Sequence, residues 1–352
     1  MELLPGGACF YPHMLDAIDT ARTEVLVATY LWESDELGRK FVAALMRAAR
    51  RDVAVRVIVD GVGSRGLTAA DRRALERSGA EFAVYHPVNY PGAKLFRRLH
   101  KKLLLVDGTR AYVGGAGFAD AWVATPPAGW WDLMVELRGP VLALLRQDFA
   151  RDWRKTSSRT LPEIAEPARH GDEALMVLVS RYGRPQLRRQ LVRRVLRARQ
   201  SVDITAAYFV PGPGLRRALR RAARRGVRVR LLLPGARTDH FAVWSAGRRH
   251  YAKLLKLGVQ IHEWQPGMLH AKYAVIDDDW GFVGSSNLDN WSLRSNAELD
   301  VTLRAGPALR ALSARFALDL EETRCIDAER WRDRPLGLRI AETFFGWFDP
   351  LL

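Results

Sequence analysis

A short pattern of histidine, lysine and aspartate occurs twice in this chain, about 170 residues apart, within segments that also resemble each other. The residues of the pattern are His100, Lys102 and Asp107 in the first copy and His270, Lys272 and Asp277 in the second. Upstream of each copy, the run Arg47–Arg56 returns as Arg221–Arg230, a basic helix end that leads into a strand. A repeat of this length is too long for a solenoid unit and is typical of a duplicated domain. The chain is therefore expected to fold as two similar halves.

In each half, apolar periodicity predicts the same order of helices and strands. The predicted helices lie near 12–21, 36–51, 69–78, 185–199, 214–225 and 246–257, and the predicted strands at 24–30, 53–60, 81–85, 202–208, 227–233 and 260–264. Because strands alternate with helices, the sequence predicts an α/β architecture with two sheets packed about a pseudo-twofold axis. We place the halves at residues 1–160 and 170–334, with a joint near 156–172, where Ser, Pro, Glu and Gly collect. Residues 335–352 are assigned to a separate amphipathic segment.

Each motif places a histidine and a lysine two residues apart, the spacing that puts side chains on one face of a strand. Two imidazoles and two ammonium groups that meet in one pocket are suited to the transfer of a phosphodiester. One neutral imidazole can attack phosphorus while the other, protonated, gives a proton to the leaving alkoxide. The lysines would counter the charge on the phosphate oxygens. This chemistry needs no metal ion, and we predict neither a metal nor a cofactor.

The aspartate of each motif follows its lysine by five residues, which is the wrong parity for the same face of a strand. Each aspartate also begins a turn-like segment, Asp107-Gly108 in the first copy and Asp277-Asp278 in the second. Asp107 and Asp277 are therefore interpreted as orienting or turn residues of the motif and not as proton-transfer groups.

The paired motifs resemble those of the phospholipase D superfamily, in which two HxKxxxxD halves form one site and a phosphohistidine is made and resolved. The resemblance implies two phospholipase D-like halves, each a mixed sheet flanked by helices. It assigns to the catalytic site His100, Lys102, Asp107, His270, Lys272 and Asp277. Further matches place four residues at the substrate: Ser285, Asn287, Glu298 and Asp132. Of these, Glu298 and Asp132 resemble the acidic positions that pair with a histidine in this superfamily.

The first half departs from the superfamily pattern at one position. After the first motif the pattern usually reads Gly-Gly-x-Asn, whereas this chain has Gly114-Gly115-Ala116-Gly117. One phosphate hydrogen bond is then missing from the first half or is supplied by backbone or water. This departure motivates the alternative that the chain is a catalytically impaired lipid-binding protein, although both His/Lys pairs and Glu298 are retained.

Within the superfamily, the sequence is similar to bacterial cardiolipin synthases over nearly its whole length. The shared features include Asp60–Ser64, Tyr208–Pro211, Leu232–Gly235 and Gln265–His270. The resemblance implies that a phosphatidyl group passes from one phosphatidylglycerol to the hydroxyl of another, with release of glycerol. An alternative is a phosphodiesterase of the same chemistry that acts on other phospholipids or on nucleic acid.

The chain is strongly basic, with 55 Lys and Arg against 39 Asp and Glu and a formal net charge of +16. Such a charge favours an anionic partner, either an acidic lipid or nucleic acid. The sequence contains no recognisable groove-reading module, so phosphatidylglycerol at a membrane surface is the expected partner and nucleic acid is not. The two cysteines, Cys9 and Cys325, indicate neither a disulfide framework nor a metal cluster.

Several segments are candidates for contact with a membrane. No signal peptide and no stretch of about 20 apolar residues is expected, so we predict a peripheral protein on the cytoplasmic side of the cell membrane. The C-terminal segment carries apolar residues at helical intervals: Leu336, Ile340, Ala341, Phe344, Phe345 and Phe348, with Trp347 beside them. This segment is either a helix docked on the core or an interfacial anchor. The basic helix 187–197 and the loop 90–98 are further candidates.

A glycine-rich segment, Gly61-Val62-Gly63-Ser64-Arg65-Gly66, has the GxGxxG form of a dinucleotide-binding loop. The equivalent segment of the second half, Pro234–Arg237, lacks the pattern. This difference favours a flexible turn near the active site over a nucleotide site.

Overall fold

The structure, a computed structural model, describes residues 1–89, 97–124, 128–162, 175–289 and 295–347. It contains two mixed sheets, one from each half of the chain. Both sheets carry helices, which confirms the predicted α/β class with two similar halves.

The first sheet has seven strands in the order β1-β8-β6-β5-β2-β3-β4. The elements of this half are β1 (Glu2–Pro5), α1 (Gly7–Asp19), β2 (Glu24–Thr29), α2 (Glu36–Ala49), β3 (Ala54–Asp60), α3 (Ala69–Arg77), β4 (Glu81–Tyr85), β5 (Lys102–Val106), β6 (Arg110–Gly114), β7 (Trp130–Trp131), β8 (Leu133–Leu137) and α4 (Val141–Ser157). Strands β2, β3 and β4 run parallel, and the pairs on the other side of β2 are antiparallel. Strand β7 lies outside this sheet.

The second sheet has eight strands in the order β17-β12-β11-β10-β14-β15-β16-β9. The elements of this half are β9 (Met176–Ser180), α5 (Gln186–Arg197), β10 (Ser201–Thr205), α6 (Pro213–Arg224), β11 (Arg228–Pro234), α7 (Phe241–Arg248), α8 (Tyr251–Leu255), β12 (Gln260–Trp264), β13 (Met268–Leu269), β14 (Tyr273–Ile276), β15 (Trp280–Gly284), β16 (Glu298–Arg304), α9 (Pro307–Glu321), β17 (Thr323–Cys325) and α10 (Leu336–Gly346). The central order β12-β11-β10-β14-β15-β16 repeats β4-β3-β2-β5-β6-β8 of the first sheet.

The core lies on both faces of each sheet because the central strands are apolar on both sides. In β2, Val25 and Val27 pack under the helices of the first half, whereas Leu26 and Ala28 point to the opposite face. That opposite face belongs to a core shared by both halves, which also contains Val283 of β15. A strand that is buried on both faces reads as a continuous apolar run, which is why these strands are visible in the sequence.

A buried ionic cluster also joins the halves. Lys101 binds Asp148 and lies 2.7 Å from Asp152, both on α4, and these carboxylates accept hydrogen bonds from Arg181, which follows β9. Lys101 is 1% exposed. Removing one partner would leave a buried charge without compensation, which costs about 3–5 kcal/mol. The cluster therefore fixes the backbone beside His100 relative to the second half.

Two predicted elements differ in the structure. The predicted helix 246–257 is divided into α7 and α8, which are separated at Arg249 and His250. The predicted strand 202–208 ends at Thr205, because residues beyond it leave the sheet and pair with another segment at the bridge between Phe209 and Leu288. Residues 163–172 of the predicted joint lie outside the described residues, as does most of the loop 90–98. In the described parts of the chain, no helix is long and apolar enough to cross a membrane.

Candidate active site

Each motif histidine is held by the backbone of the opposite half. The amide of His100 donates to the carbonyl of Ala297 at 2.9 Å, and the amide of His270 donates to the carbonyl of Trp131 at 2.7 Å. The second contact continues a small parallel sheet in which β7 of the first half pairs with β13 of the second. Both histidines consequently open onto one cavity of about 460 Å³ at the contact between the halves.

The imidazoles are paired with carboxylates across the same contact. His100 Nδ1 lies 2.9 Å from Glu298 Oε2, and His270 Nδ1 lies 2.6 Å from Asp132 Oδ2. Both carboxylates are completely buried. A carboxylate at Nδ1 holds the proton on that nitrogen and leaves the lone pair on Nε2. Each half thus supplies one histidine and orients the histidine of the other half.

The two carboxylates are themselves fixed by hydrogen bonds. Ser285 Oγ donates to Glu298 Oε2 at 2.6 Å, and although burial opposes it, His100 holds the pKa of Glu298 below its usual range. Trp122 Nε1 donates to Asp132 Oδ2 at 3.2 Å. Glu298 therefore remains a charged partner of His100, and Asp132 is held in place beside His270.

The motif lysines are buried beside the histidines. Lys102 Nζ lies 3.0 Å from His100 Nε2, whereas Lys272 Nζ lies 2.8 Å from His270 Nδ1. Burial, and then the charge of Lys272, lower the pKa of Lys102 to about 7, against the opposing effect of Glu298. Burial lowers the pKa of Lys272 to about 8 and, with Lys272 nearby, that of His270 to about 4. The lowered pKa values show that burial makes protonation of these groups unfavourable. A bound anion such as a phosphodiester would favour their protonated forms.

Aromatic side chains form walls around both imidazoles. Tyr30 lies 4.9 Å from His100 between ring centroids, and Trp122 and Trp130 lie 5.3 and 5.2 Å from His270. None of these three residues was among the site residues predicted from the sequence. Tyr30 is the last residue of the predicted strand 24–30, and Trp130 precedes Trp131-Asp132. Their positions next to predicted features were the signal that could have identified them.

The chain was compared with known proteins. The profile of the family described as "Cardiolipin synthase, PLD-like domain" matches residues 14–153 and 191–320, which together make up most of the chain. The chain belongs to this phospholipase D-like cardiolipin synthase family. It is accordingly a phosphatidyltransferase of the phospholipase D superfamily.

Relatives within this cardiolipin synthase family match over most of their length. Cardiolipin synthase B of Escherichia coli K12 is 35% identical over 319 residues, which cover 86% of this chain and 76% of that protein. Cardiolipin synthase of Halalkalibacterium halodurans is 30% identical, with coverage of 100% and 72%. The crystal structure of a phosphatidylserine synthase from Haemophilus influenzae has the same fold, with a TM-score of 0.76, 14% identity and coverage of 99% and 93%.

The motif aspartates, Asp107 and Asp277, do not line the cavity. Asp107 accepts hydrogen bonds from the amides of Arg22, Thr23 and Glu24 at 2.7–3.0 Å. Asp277 accepts from the amides of residues 199–201 at 2.8–2.9 Å. Both aspartates have positive φ angles, 52° and 53°, so they form the turns after β5 and β14. The structure places both in turns that fix the motif strands, and neither among the groups that line the cavity.

Among the residues assigned to the substrate, only Asn287 lines the cavity. Ser285, Glu298 and Asp132 are completely buried and act on the histidines as described above. In the structure they contact the imidazoles or the carboxylate beside one of them. Their assignment as substrate contacts stays a prediction. The imidazole–carboxylate pairing that the resemblance implied for Glu298 and Asp132 is what the structure shows.

Steric contacts explain why a glycine occupies position 117. Its carbonyl accepts a hydrogen bond from Tyr11 Oη at 2.6 Å, and a Cβ at this position would lie 2.6 Å from the carbonyl oxygen of Leu31. An asparagine therefore does not fit without movement of the backbone. The equivalent residue of the second half, by its place before the Phe209–Leu288 bridge, is Asn287. Among the described residues, only the second half offers a carboxamide to the cavity.

The GxGxxG segment forms a tight turn at the edge of the cavity. Asp60 Oδ1 accepts hydrogen bonds from the amides of Val62 and Gly63 at 2.8 and 3.0 Å. A Cβ on Gly63 would lie 2.3 Å from the carbonyl oxygen of Tyr30, so only glycine allows this approach. The segment thus supports the wall beside His100.

Proposed function

We propose that this protein is a cardiolipin synthase that transfers a phosphatidyl group from one phosphatidylglycerol to another through a phosphohistidine, with release of glycerol. The observation that carries the proposal is the pair of buried imidazole–carboxylate couples, His100–Glu298 and His270–Asp132, that face one cavity beside two lysines. Two oriented imidazoles suit a reaction in two displacements, because one can act as nucleophile while the other transfers protons. Membership of the family supports the choice of lipid.

In the first displacement, Nε2 of His100 attacks phosphorus and the bond between phosphorus and the glycerol oxygen breaks. His270 gives its Nε2 proton to that oxygen, and glycerol leaves with both electrons of the broken bond. In the second displacement, His270 takes the proton of a hydroxyl on another phosphatidylglycerol, whose oxygen attacks phosphorus and releases His100. The anionic phosphate raises the low pKa of His270, which allows this histidine to carry a proton in the bound state.

The reaction itself gives the first test. Purified protein with phosphatidylglycerol vesicles and a chelator, without nucleotide, should form cardiolipin and glycerol in equal amounts, as measured by mass spectrometry of the lipids and an assay for free glycerol. The chemistry uses only imidazole and ammonium groups, so chelation should leave the rate unchanged. Formation of phosphatidic acid alone, or cleavage of DNA at a comparable rate, would contradict the synthase assignment in favour of a phosphodiesterase.

We further propose that the protein binds the cytoplasmic membrane surface peripherally through α10. The buried face of this helix is anchored by a charged residue, since Glu342 is 2% exposed and accepts hydrogen bonds from Arg248 and Arg334. The opposite face is apolar and exposed. It consists of Leu336, Ile340, Phe344 and Trp347, which are 50–72% exposed. A helix with its apolar face outward is suited to lie in a lipid interface.

A basic cavity adjoins the end of this helix. It has a volume of about 300 Å³ between α6 and α8, and its lining contains no carboxylate among the described residues. The lining residues are Arg216, Arg220, Arg249, His250, Lys253 and Leu254. Arg249 also donates to the carbonyl of Gly346 in α10. Basic groups near an anionic leaflet add about 1 kcal/mol each to binding, so this cavity supports contact with acidic headgroups.

The double substitution Phe344→Ser with Trp347→Ser should weaken binding to phosphatidylglycerol vesicles at physiological salt by about tenfold or more. Charges beyond the ~8 Å Debye length are screened there, and insertion of the aromatic rings supplies the remaining attraction. Vesicle co-sedimentation measures the change, and turnover of a short-chain soluble lipid should persist. The matched control is Leu144→Ser with Leu318→Ser, two leucines that are 50% and 49% exposed on other helices. Equal binding by both double variants would exclude α10 as the membrane contact.

A further inference from the structure

The walls of the active-site cavity differ in chemistry between the two halves. The first half contributes mainly aromatic and apolar groups, whereas the second half contributes two carboxylates among its polar groups. The lining from the second half consists of Tyr208, Asp239, His240, Val243, His270, Asn287, Asp289 and Asn296. Carboxylates repel a phosphodiester, so Asp239 and Asp289 do not serve to bind the phosphate that the lysines attract.

Asp239 is held in place by one of its two oxygens. Tyr208 Oη donates to Asp239 Oδ2 at 2.5 Å, and His240 Nε2 lies 3.6 Å from the same oxygen. Burial, and then Asp239, raise the pKa of Tyr208 far above its usual range, so this hydroxyl remains a donor. The other oxygen, Oδ1, makes no hydrogen bond within the described ranges of the chain. Asp239 therefore presents an oriented acceptor at the cavity, with its side chain 20% exposed.

The arrangement occurs on one side only. Tyr208 immediately precedes the bridge between Phe209 and Leu288, and the equivalent residue before the Trp32–Phe118 bridge in the first half is Leu31. Leucine cannot donate to a carboxylate, so the first half has no counterpart of the Tyr208–Asp239 pair. The polar wall lies beside His270, since the ring centroids of Tyr208 and His270 are 6.3 Å apart. His270 is the histidine to which we assign proton transfer to and from the alcohol oxygen.

We propose that Asp239, positioned by Tyr208 and assisted by Asp289, forms a subsite for the vicinal hydroxyl groups of a glycerol headgroup. A carboxylate accepts hydrogen bonds from adjacent hydroxyls. Besides its reacting oxygen, the glycerol that leaves beside His270 carries two adjacent hydroxyls, and the phosphatidylglycerol headgroup that enters there carries one. The subsite selects polyols over monohydric alcohols, both as acceptor and as leaving group. This inference rests on the proposed phosphatidyl transfer and adds to it the chemical class of the alcohol.

Competition between two alcohols for the same intermediate tests the subsite. Protein on phosphatidylglycerol vesicles receives an equimolar mixture of ¹³C-glycerol and 1-propanol, and mass spectrometry gives the ratio of labelled phosphatidylglycerol to phosphatidylpropanol. Because both alcohols resolve one intermediate, the ratio does not depend on the rate at which that intermediate forms. The ratio should fall by about 10- to 100-fold in Asp239→Ala, the size expected for loss of hydrogen bonds to a charged group. Tyr208→Phe should shift it in the same direction by less.

An unchanged ratio in Asp239→Ala, with both products slowed equally, would overturn the subsite and leave Asp239 as a charge that balances Lys272. Asp239→Asn keeps one acceptor oxygen and should give an intermediate ratio, which separates recognition from loss of folding. If the wild-type protein only hydrolyses lipid, the proposed synthase fails, but the subsite is still tested from the donor side. The kcat/KM for hydrolysis of phosphatidylglycerol relative to phosphatidylpropanol should then fall in Asp239→Ala, and an equal relative value would refute the subsite.

Discussion

His270→Ala should abolish turnover of phosphatidylglycerol and yet accumulate a covalent phosphatidyl group on His100 when the lipid carries an activated leaving group. An activated alkoxide departs without a proton, so the first displacement proceeds, whereas the second lacks the base that activates the incoming hydroxyl. His100→Ala should lose both steps, because no nucleophile remains. Each variant should reduce turnover of the natural lipid by about 10⁴- to 10⁶-fold. Mass spectrometry of the intact protein and of its peptides measures the adduct.

His13→Ala provides the control, since His13 is an exposed histidine on α1 whose imidazole, among the described residues, hydrogen-bonds only to the carbonyl of Cys9. It should label and turn over like the wild-type protein. An adduct on His270 in the His100→Ala variant, with none in His270→Ala, would exchange the two roles. Adducts in neither variant would argue against a phosphohistidine.

The second large effect is expected from the buried carboxylates. Asp132→Asn and Glu298→Gln should each lower turnover by about 10⁴-fold, the loss known when the carboxylate that orients a catalytic imidazole becomes an amide. The amide offers a donor to Nδ1 and so favours the wrong tautomer. Because the pairing crosses the halves, Glu298→Gln should slow formation of the adduct on His100. Asp132→Asn should form the adduct and slow its resolution, as single-turnover quenched-flow experiments would show.

Glu136→Gln is the matched control for these substitutions, because Glu136 is a buried carboxylate that binds Tyr112 and lies outside the active-site cavity. Its folded fraction should turn over at the wild-type rate even if the protein is less stable. If Glu298→Gln and Asp132→Asn slowed the same half-reaction equally, the crossed assignment of roles would be wrong.

The sequence predicted the two histidine–lysine pairs of the candidate site because their pattern is local. His100 stands two residues before Lys102, the first residue of β5, and the duplication shows that His270 and Lys272 repeat them. The resemblance also indicated acidic partners for the histidines. It did not indicate that Glu298 serves His100, because that contact spans 198 residues and depends on how the two sheets pack.

Other features of the protein depend on tertiary contacts, which the spacing of apolar residues in the sequence does not reveal. The apolar spacing of the C-terminal segment is the same whether its apolar face is buried or exposed, and only the contacts of Glu342 show which face is inside. Likewise, Gly117 looked like a lost phosphate ligand in the sequence, whereas the structure shows that the backbone of Leu31 occupies the space. The difference between Tyr208 and Leu31 is recognisable only when the residues before the two β-bridges are compared.

The reciprocal backbone contacts of the two histidines have a consequence for how such a site diversifies. Each half completes the site of the other, so two identical chains could in principle assemble the same four catalytic groups, but they would present the same residue on both walls. A single covalent chain is free of that constraint. Here the positions of Leu31 and Tyr208, and of Gly117 and Asn287, have diverged while the imidazoles and lysines have not. Because the two halves belong to one chain, the wall beside His100 and the wall beside His270 can carry different residues. The second wall can then bind the alcohol, as proposed above.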